Sequence, residues 1–566
     1  MNGPAVVRHS GGGGRAGLKR SSKIIILGLF LLWAGVVRAD IAPDLDQLAG
    51  KAAVRFEHYQ IQVAARTEVR HLFPWPESSG LNLWVEARLR ITGPETDRFY
   101  FRLTSYSNLQ MEELRVDGQK VQYRRQADIF WVELPSSRKR GEVLTLLARY
   151  NFTFKPAGKQ VPVELTGNWY PRGLLPEPVT AELELLAPPG YIGVGNGNLI
   201  GVRTYPMQLL GYVWRINQPQ TALGASIGRY QISSRSIKGR LYRVFAVSDF
   251  DNGFRQNLLE KAADLGDFFQ DKFGGTAYSD LTLVVSDTGL EDACTGTVLF
   301  LHPKRDRNRQ ITLYRLSHEL SHYWWGNLIH PKNLRDWWTV EGFACFSSVL
   351  ALERFGPDPK ASVTKTAAAA LRHWRAEYQD SRDNYHQLGI AEMSLAEIGP
   401  YDIQRDLFYS KGGYVLHMAR LILGEAKFTA YLQEFVKRYA GRQAGIRDFT
   451  GLGVELYGSQ LMDFYRQWVF SSGDYNIALR NVKVRPAQGK YFVTFEIVNT
   501  GQLFLPNSVD LEIITGNEVR SEVLPFKQVS VTIQRTLTAR PKRIAINAQS
   551  NILEPRITDN VWNNRI

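Results

Sequence analysis

The run His318-Glu319-Leu320-Ser321-His322, separated from Glu341 by eighteen residues, constrains this chain more than any other feature. Side chains four positions apart share one face of an α-helix, so the run has to be helical for both imidazoles to reach one ion. Glu319 then lies beside that face, placed to take a proton from a water molecule. Glu341 falls in a second helix-compatible stretch and closes the ligand set. Three protein donors of type N, N and O leave a fourth position open, which marks a catalytic rather than a structural zinc site. The fold must therefore bring two helices together across a short connection.

The flanks agree with this reading. Ile311-Thr312-Leu313-Tyr314-Arg315-Leu316 is periodic and helix-compatible, and Tyr323-Trp324-Trp325-Gly326-Asn327 supplies bulky packing followed by a helix stop. Trp337-Trp338-Thr339-Val340-Glu341-Gly342-Phe343-Ala344 leads into Phe346, Val349, Leu350 and Leu352, the pattern of a buried helix. The tryptophan pairs read as core rather than as a binding platform.

At 566 residues the chain exceeds one hydrophobic core, so about three domains are expected. Residues 1–39 read as a targeting segment. Arg8, Arg15, Lys19, Arg20 and Lys23 form a basic start, residues 24–37 are apolar, and Val37-Arg38-Ala39 is a small-residue cleavage site. Cleaved or retained as an anchor, the segment implies export: periplasmic, extracellular or membrane-anchored facing outward. Removing its six Lys and Arg from the net charge of +14 leaves +8, a modest excess that calls for no nucleic-acid partner. Lys304, Arg305, Arg307 and Arg309 cluster just before the metal helix, either as a solvated loop or as an attractor of acidic substrates. Two cysteines, Cys294 and Cys345, exclude a disulfide scaffold and leave one bridge conceivable.

Three textures follow one another. Residues 40–235 alternate as strands: Leu83, Val85, Ala87, Leu89 and Ile91 interleave with Trp84, Glu86, Arg88 and Arg90. Residues 236–473 mix strands (281–285, 297–301) with helices, the first carrying Phe254, Leu258, Ala262, Leu265 and Phe269 before Gly274-Gly275. Ser471-Ser472-Gly473-Asp474 reads as a linker, after which Tyr491, Val493, Phe495 and Ile497 alternate again in a β-sandwich over 474–566.

The chain resembles the zinc aminopeptidase (gluzincin) family that includes aminopeptidase N and leukotriene hydrolase. His318 to Asn327 is similar to the family's HELAHxWFGN, and Glu341-Gly342-Phe343-Ala344 to its NEGFA, with Val340 in place of Asn. Tyr409-Ser410-Lys411-Gly412 resembles its Y-x-K-G, whose tyrosine stabilises the oxyanion. His58-Tyr59, Trp169-Tyr170-Pro171 and Phe464 to Trp468 are weaker echoes. The resemblance implies an N-terminal all-β domain, an α+β thermolysin-like catalytic domain with a helical lobe, and a small C-terminal β-sandwich. It also implies one zinc ion held by His318, His322 and Glu341, with Glu319 as general base, Tyr409 on the oxyanion, and peptides as substrates.

One motif departs. The family carries G-x-M-E-N on a strand lining the cleft, and its glutamate holds the free amino group of the substrate. Aligned on Gly296, this chain has Ala293 at that glutamate and Cys294 at the asparagine, with Glu291 and Asp292 out of register. On a strand, a shift of two residues restores the face about 7 Å away. Three readings stay open: an exported zinc aminopeptidase, a zinc hydrolase indifferent to a free amino end, and an interaction protein on a peptidase fold. A membrane enters only if the N-terminal segment is kept.

Overall fold

The computed structural model describes residues 54–564 apart from 67–78, 105–107, 155–161, 276–278, 289, 304–309, 401, 474, 504–507 and 527. The targeting segment, Gly289 and the basic cluster Lys304, Arg305, Arg307 and Arg309 lie outside the described residues. No helix among those described is long and apolar enough to cross a membrane.

The N-terminal part is all β. An eight-stranded sheet centres on Val54–Arg66, which pairs antiparallel with Ser79–Ile91 and parallel with Val179–Ala187. Alternation dictates its faces: Leu81, Leu83, Val85, Ala87, Leu89 and Ile91 are all buried, while the residues between them are not. Two three-stranded sheets complete this region, one of them formed by Ile192–Gly195, Ala225–Gly228 and Val163–Leu165.

The next sheet has the order Gln231–Ile237, Arg240–Ala246, Asp280–Val285, Val298–Leu301, Ala293–Thr295. Because Gln231–Ile237 pairs with Arg240–Ala246, the change of sheet falls a few residues before the boundary expected at 235. The three central strands are successively parallel, which requires a crossover between the first two. Helix α1 (Asn252–Phe273) supplies it, capped by the Asp251 side chain and ended by Gly274 at φ +74°. Both faces of this sheet are covered. Phe245, Val284, Val298 and Phe300 pack into the N-terminal core, and Val244, Val285, Leu299 and Leu301 into the helical core. Hence the runs 281–285 and 298–301 are buried throughout and, apart from Thr282, apolar rather than alternating.

The helical lobe follows. Helix α2 (Leu313–Ser321) starts at Thr312, whose hydroxyl accepts the Arg315 N–H. Helix α3 (Trp338–Phe355) is buried from Trp338 to Leu352 except at Glu341, as befits a central helix. After α4 (Ala367–Gln387), a 3-10 turn (Arg405–Phe408) leads into α5 (Ser410–Leu423). Helices α6 (Glu425–Tyr439), α7 (Ile446–Tyr457) and α8 (Ser459–Trp468) close the lobe.

The tail forms two facing sheets. Val493, Phe495 and Ile497 of one and Leu511, Ile513, Ile544 and Ile546 of the other join the core that the helices share. The tail braces α5: the Tyr414 hydroxyl donates to the Ser550 carbonyl at 2.7 Å.

Candidate metal centre and cleft

Helices α2 and α3 place three donors at one point. His322 is the C-cap of α2 but keeps helical angles (φ −60°, ψ −15°), so its four-residue offset from His318 still puts both rings on one face. The ring centroids are 4.9 Å apart. Glu341 Oε2 lies 3.4 Å from His318 Nε2 and 3.6 Å from His322 Nε2. One ligand atom from each of the three residues falls within 4.8 Å of the others. Two imidazole nitrogens and one carboxylate oxygen, three-sided and open to a cleft, fit one zinc ion.

Each histidine is oriented from behind, by partners that sequence reasoning missed. His322 Nδ1 faces the Trp325 carbonyl at 3.2 Å, which leaves Nε2 for the metal. His318 Nδ1 faces the Cys345 thiol at 3.8 Å. That sulfur accepts the Tyr314 hydroxyl at 3.6 Å, and Tyr314 in turn accepts the Trp374 indole N–H at 2.9 Å. The position of Cys345 four residues after Glu341 was the available signal, since it puts the sulfur on the ligand face of α3. The conceivable Cys294–Cys345 bridge does not form; both thiols are free, one beside the metal ligands and the other on the edge strand.

The close approach of α3 and α5 sets the remaining geometry. A Cβ on Gly342 would lie 3.0 Å from the Gly412 carbonyl carbon and 3.1 Å from the Phe408 oxygen, so these backbones touch because both positions are glycine. Glu341 precedes one contact glycine and Tyr409 stands three residues before the other. The Tyr409 ring consequently stacks on His318 at 6.2 Å. Its helix is held by the buried Lys411–Glu392 ion pair at 2.6 Å, to which the Tyr378 hydroxyl also donates at 3.0 Å. Of the tryptophan pairs, Trp324, Trp325 and Trp338 are core, while Trp337 is half-buried and lines the cleft.

The cleft encloses about 830 Å³ and is lined by the three donor residues, Glu319, Tyr409 and the edge strand Ala293–Thr295. Glu319 is 9% exposed. Burial, with Asp292 and Glu341 nearby, pushes its carboxyl up to about 8 against the pull of His318 and Arg315. Burial also raises the Tyr409 phenol, helped by the adjacent Glu341.

Along the edge strand, Ala293 and Cys294 present no acid to the cleft. Asp292 is committed elsewhere. Its oxygens lie 2.5 Å from Arg315 Nη2 and accept the His302 backbone N–H at 2.8 Å. His302 is buried between two carboxylates, with Nε2 2.7 Å from Glu164 and Nδ1 3.4 Å from Asp292. Glu164, His302, Asp292 and Arg315 thus form an alternating chain of charges from the strand Val163–Leu165 to the metal helix. Glu291 precedes the strand instead of lying two residues along it, and is exposed.

The Peptidase family M1 domain matches residues 293–468. Aminopeptidase M1-D of Oryza sativa subsp. japonica is 28% identical over 167 residues, which cover 29% of this chain and 18% of that protein. Aminopeptidase N of Streptomyces lividans is 26% identical over 220 residues, 37% of this chain and 25% of that one. The chain therefore spans only about a fifth to a quarter of the length of these relatives. Among solved structures, the M1 zinc metallopeptidase of Deinococcus radiodurans aligns with a TM-score of 0.57 and 18% identity over 74% of this chain and 94% of its own. That likeness extends beyond the matched segment and is one of fold.

Proposed function

We propose, from the Peptidase family M1 domain matched over residues 293–468, that the chain is an exported zinc-dependent peptidase of aminopeptidase type. The observation that carries the reading is the convergence of His318, His322 and Glu341 on one point of a cleft that also holds a buried Glu319 and the Tyr409 hydroxyl. A zinc ion bound there lowers the pKa of a water molecule towards about 7 and polarises a carbonyl.

The rest falls to the protein. Glu319 takes the proton of the attacking water and returns it to the leaving nitrogen. Burial raises the affinity of its carboxyl for that proton, which favours the first transfer. The Tyr409 hydroxyl donates to the carbonyl oxygen as negative charge develops on it. His318 and His322 keep Nε2 towards the cleft because Cys345 and the Trp325 carbonyl engage their other nitrogens.

A second reading, hydrolysis without need of a free amino end, is favoured by Ala293 and Cys294 and by the engagement of Asp292 with Arg315. Export is supported by the basic and apolar character of residues 1–39. The deciding experiment measures bound zinc and compares an aminoacyl fluorogenic substrate with its N-acetylated form, in the native protein and in Glu319→Gln. One zinc per chain and turnover lost in Glu319→Gln support the peptidase. Equal turnover of both substrates removes the aminopeptidase reading, and a protein without zinc or turnover is an interaction protein on a peptidase fold.

A further inference from the structure

We propose that the cleft selects substrates by a carboxylate group near the scissile bond, held by Arg405 with Arg172, and not by a free ammonium group. The inference deepens the peptidase reading and rests on it for the reaction.

The acids that line the cleft are either engaged with partners or reserved for the reaction. Glu341 lies between the two histidines, and Asp292 is paired with Arg315 at 2.5 Å. Asp406 accepts the Ser381 and Tyr385 hydroxyls. Glu319 is the buried base, and Glu291 at the mouth is not free either. An arriving ammonium group would have to break one of these arrangements or go unpaired.

The cleft arginines are in the opposite condition. Among the described residues, neither Arg172 nor Arg405 has a carboxylate within ion-pair distance. Arg172 is fixed in place: it donates to the Thr221 carbonyl at 2.8 Å and the Gly167 carbonyl at 3.3 Å, and lies over the Tyr170 ring. Those acceptors are neutral, and the buried Glu177 acts on Arg172 only from beyond ion-pair distance. Arg405 is exposed and opens the 3-10 turn that runs into Tyr409. Both side chains line the cleft, and the Arg405 charge acts on the Tyr409 phenol. The guanidinium therefore stands beside the group that meets the substrate carbonyl. A guanidinium presents its donors in a planar fork that matches a carboxylate with two parallel hydrogen bonds. The substrate class is thus peptides bearing an aspartate, a glutamate or a terminal carboxylate within a residue or two of the cleaved bond, with no requirement at the amino end.

Internally quenched peptides with acetylated amino ends, matched in pairs with glutamate or glutamine at successive positions around the bond, test this. At one position glutamate should raise kcat/KM by about tenfold or more, mostly through KM. That ratio should fall towards one in Arg405→Gln, recover in part in Arg405→Lys, and shrink at high salt. No glutamate preference at any position, a ratio that survives Arg405→Gln and Arg172→Gln, or strict dependence on a free ammonium group would overturn it. Calorimetric titration of the same acetylated pairs into Glu319→Gln separates recognition from chemistry. Tighter binding of the glutamate peptide without turnover in the native protein would uphold carboxylate recognition and sink the peptidase reading. Equal binding of the pair would sink the recognition whatever the turnover.

Discussion

Replacing His302 by glutamine should change how the stability of this protein depends on pH. The imidazole is 1% exposed and faces Glu164 at 2.7 Å and Asp292 at 3.4 Å. Burial alone would lower its pKa, but the two carboxylates overcome burial and raise it from 6.5 to about 9. At about 1.4 kcal/mol per pKa unit, a rise from 6.5 to about 9 is worth about 3 kcal/mol. The sign follows from the direction. A group whose folded pKa is raised contributes its full stability below the unfolded value, here 6.5, and loses it as pH climbs through about 9. Glutamine does not titrate. Urea unfolding midpoints of native protein and His302→Gln, measured from about pH 6 to about pH 9.5, should differ most at the acid end and converge towards the alkaline end. Taking the difference cancels the titrating groups that do not touch His302. A gap that stays constant across that range would refute the placement of a protonated imidazole between Glu164 and Asp292.

Tyr409→Phe removes one hydroxyl donor and should cut kcat by about a hundredfold to a thousandfold with KM little changed, as read by steady-state kinetics. Gly342→Ala drives a Cβ into the Gly412 and Phe408 backbones and should destabilise by about 1–3 kcal/mol in thermal unfolding, with activity falling as α3 and α5 separate. Lys411→Met leaves the buried Glu392 carboxylate with Arg382 at 3.6 Å and the Tyr378 hydroxyl in place of a 2.6 Å ion pair and should cost about 1–3 kcal/mol, measurable by urea unfolding. Dialysis against a chelator should abolish turnover, and added zinc should restore it in the native protein but not after His318→Ala, as followed by metal content and rate together.

Parts of the centre were legible because their geometry is local. His318 and His322 are four residues apart on a regular helix, so their meeting needs only the helical repeat. The strands around Leu83 and Phe495 announced their faces by alternation, because a half-buried sheet repeats every two residues. The parallel strands at 281–285 and 298–301 gave no such alternation, since the structure buries both of their faces. Glu291 shows where local reasoning stopped. The two-residue offset was measured along a strand, but the edge strand begins at Ala293, so that offset does not carry Glu291 to the expected point.

By itself, the amino-acid sequence determined the donor types, their spacing, the base beside them and the order of β, mixed and β regions, all properties of short-range periodicity and side-chain chemistry. Only the tertiary structure decided what surrounds them. It put Cys345 behind His318, carried Asp292 onto Arg315 through a chain that begins at Glu164, and left Arg405 and Arg172 lining the cleft with no carboxylate at ion-pair distance among the described residues. Such partners come from strands and helices up to 138 positions apart along the chain, as with Glu164 and His302. Their pairing follows from how sheets and helices pack and from the cost of burying an unpaired charge, which no local pattern records.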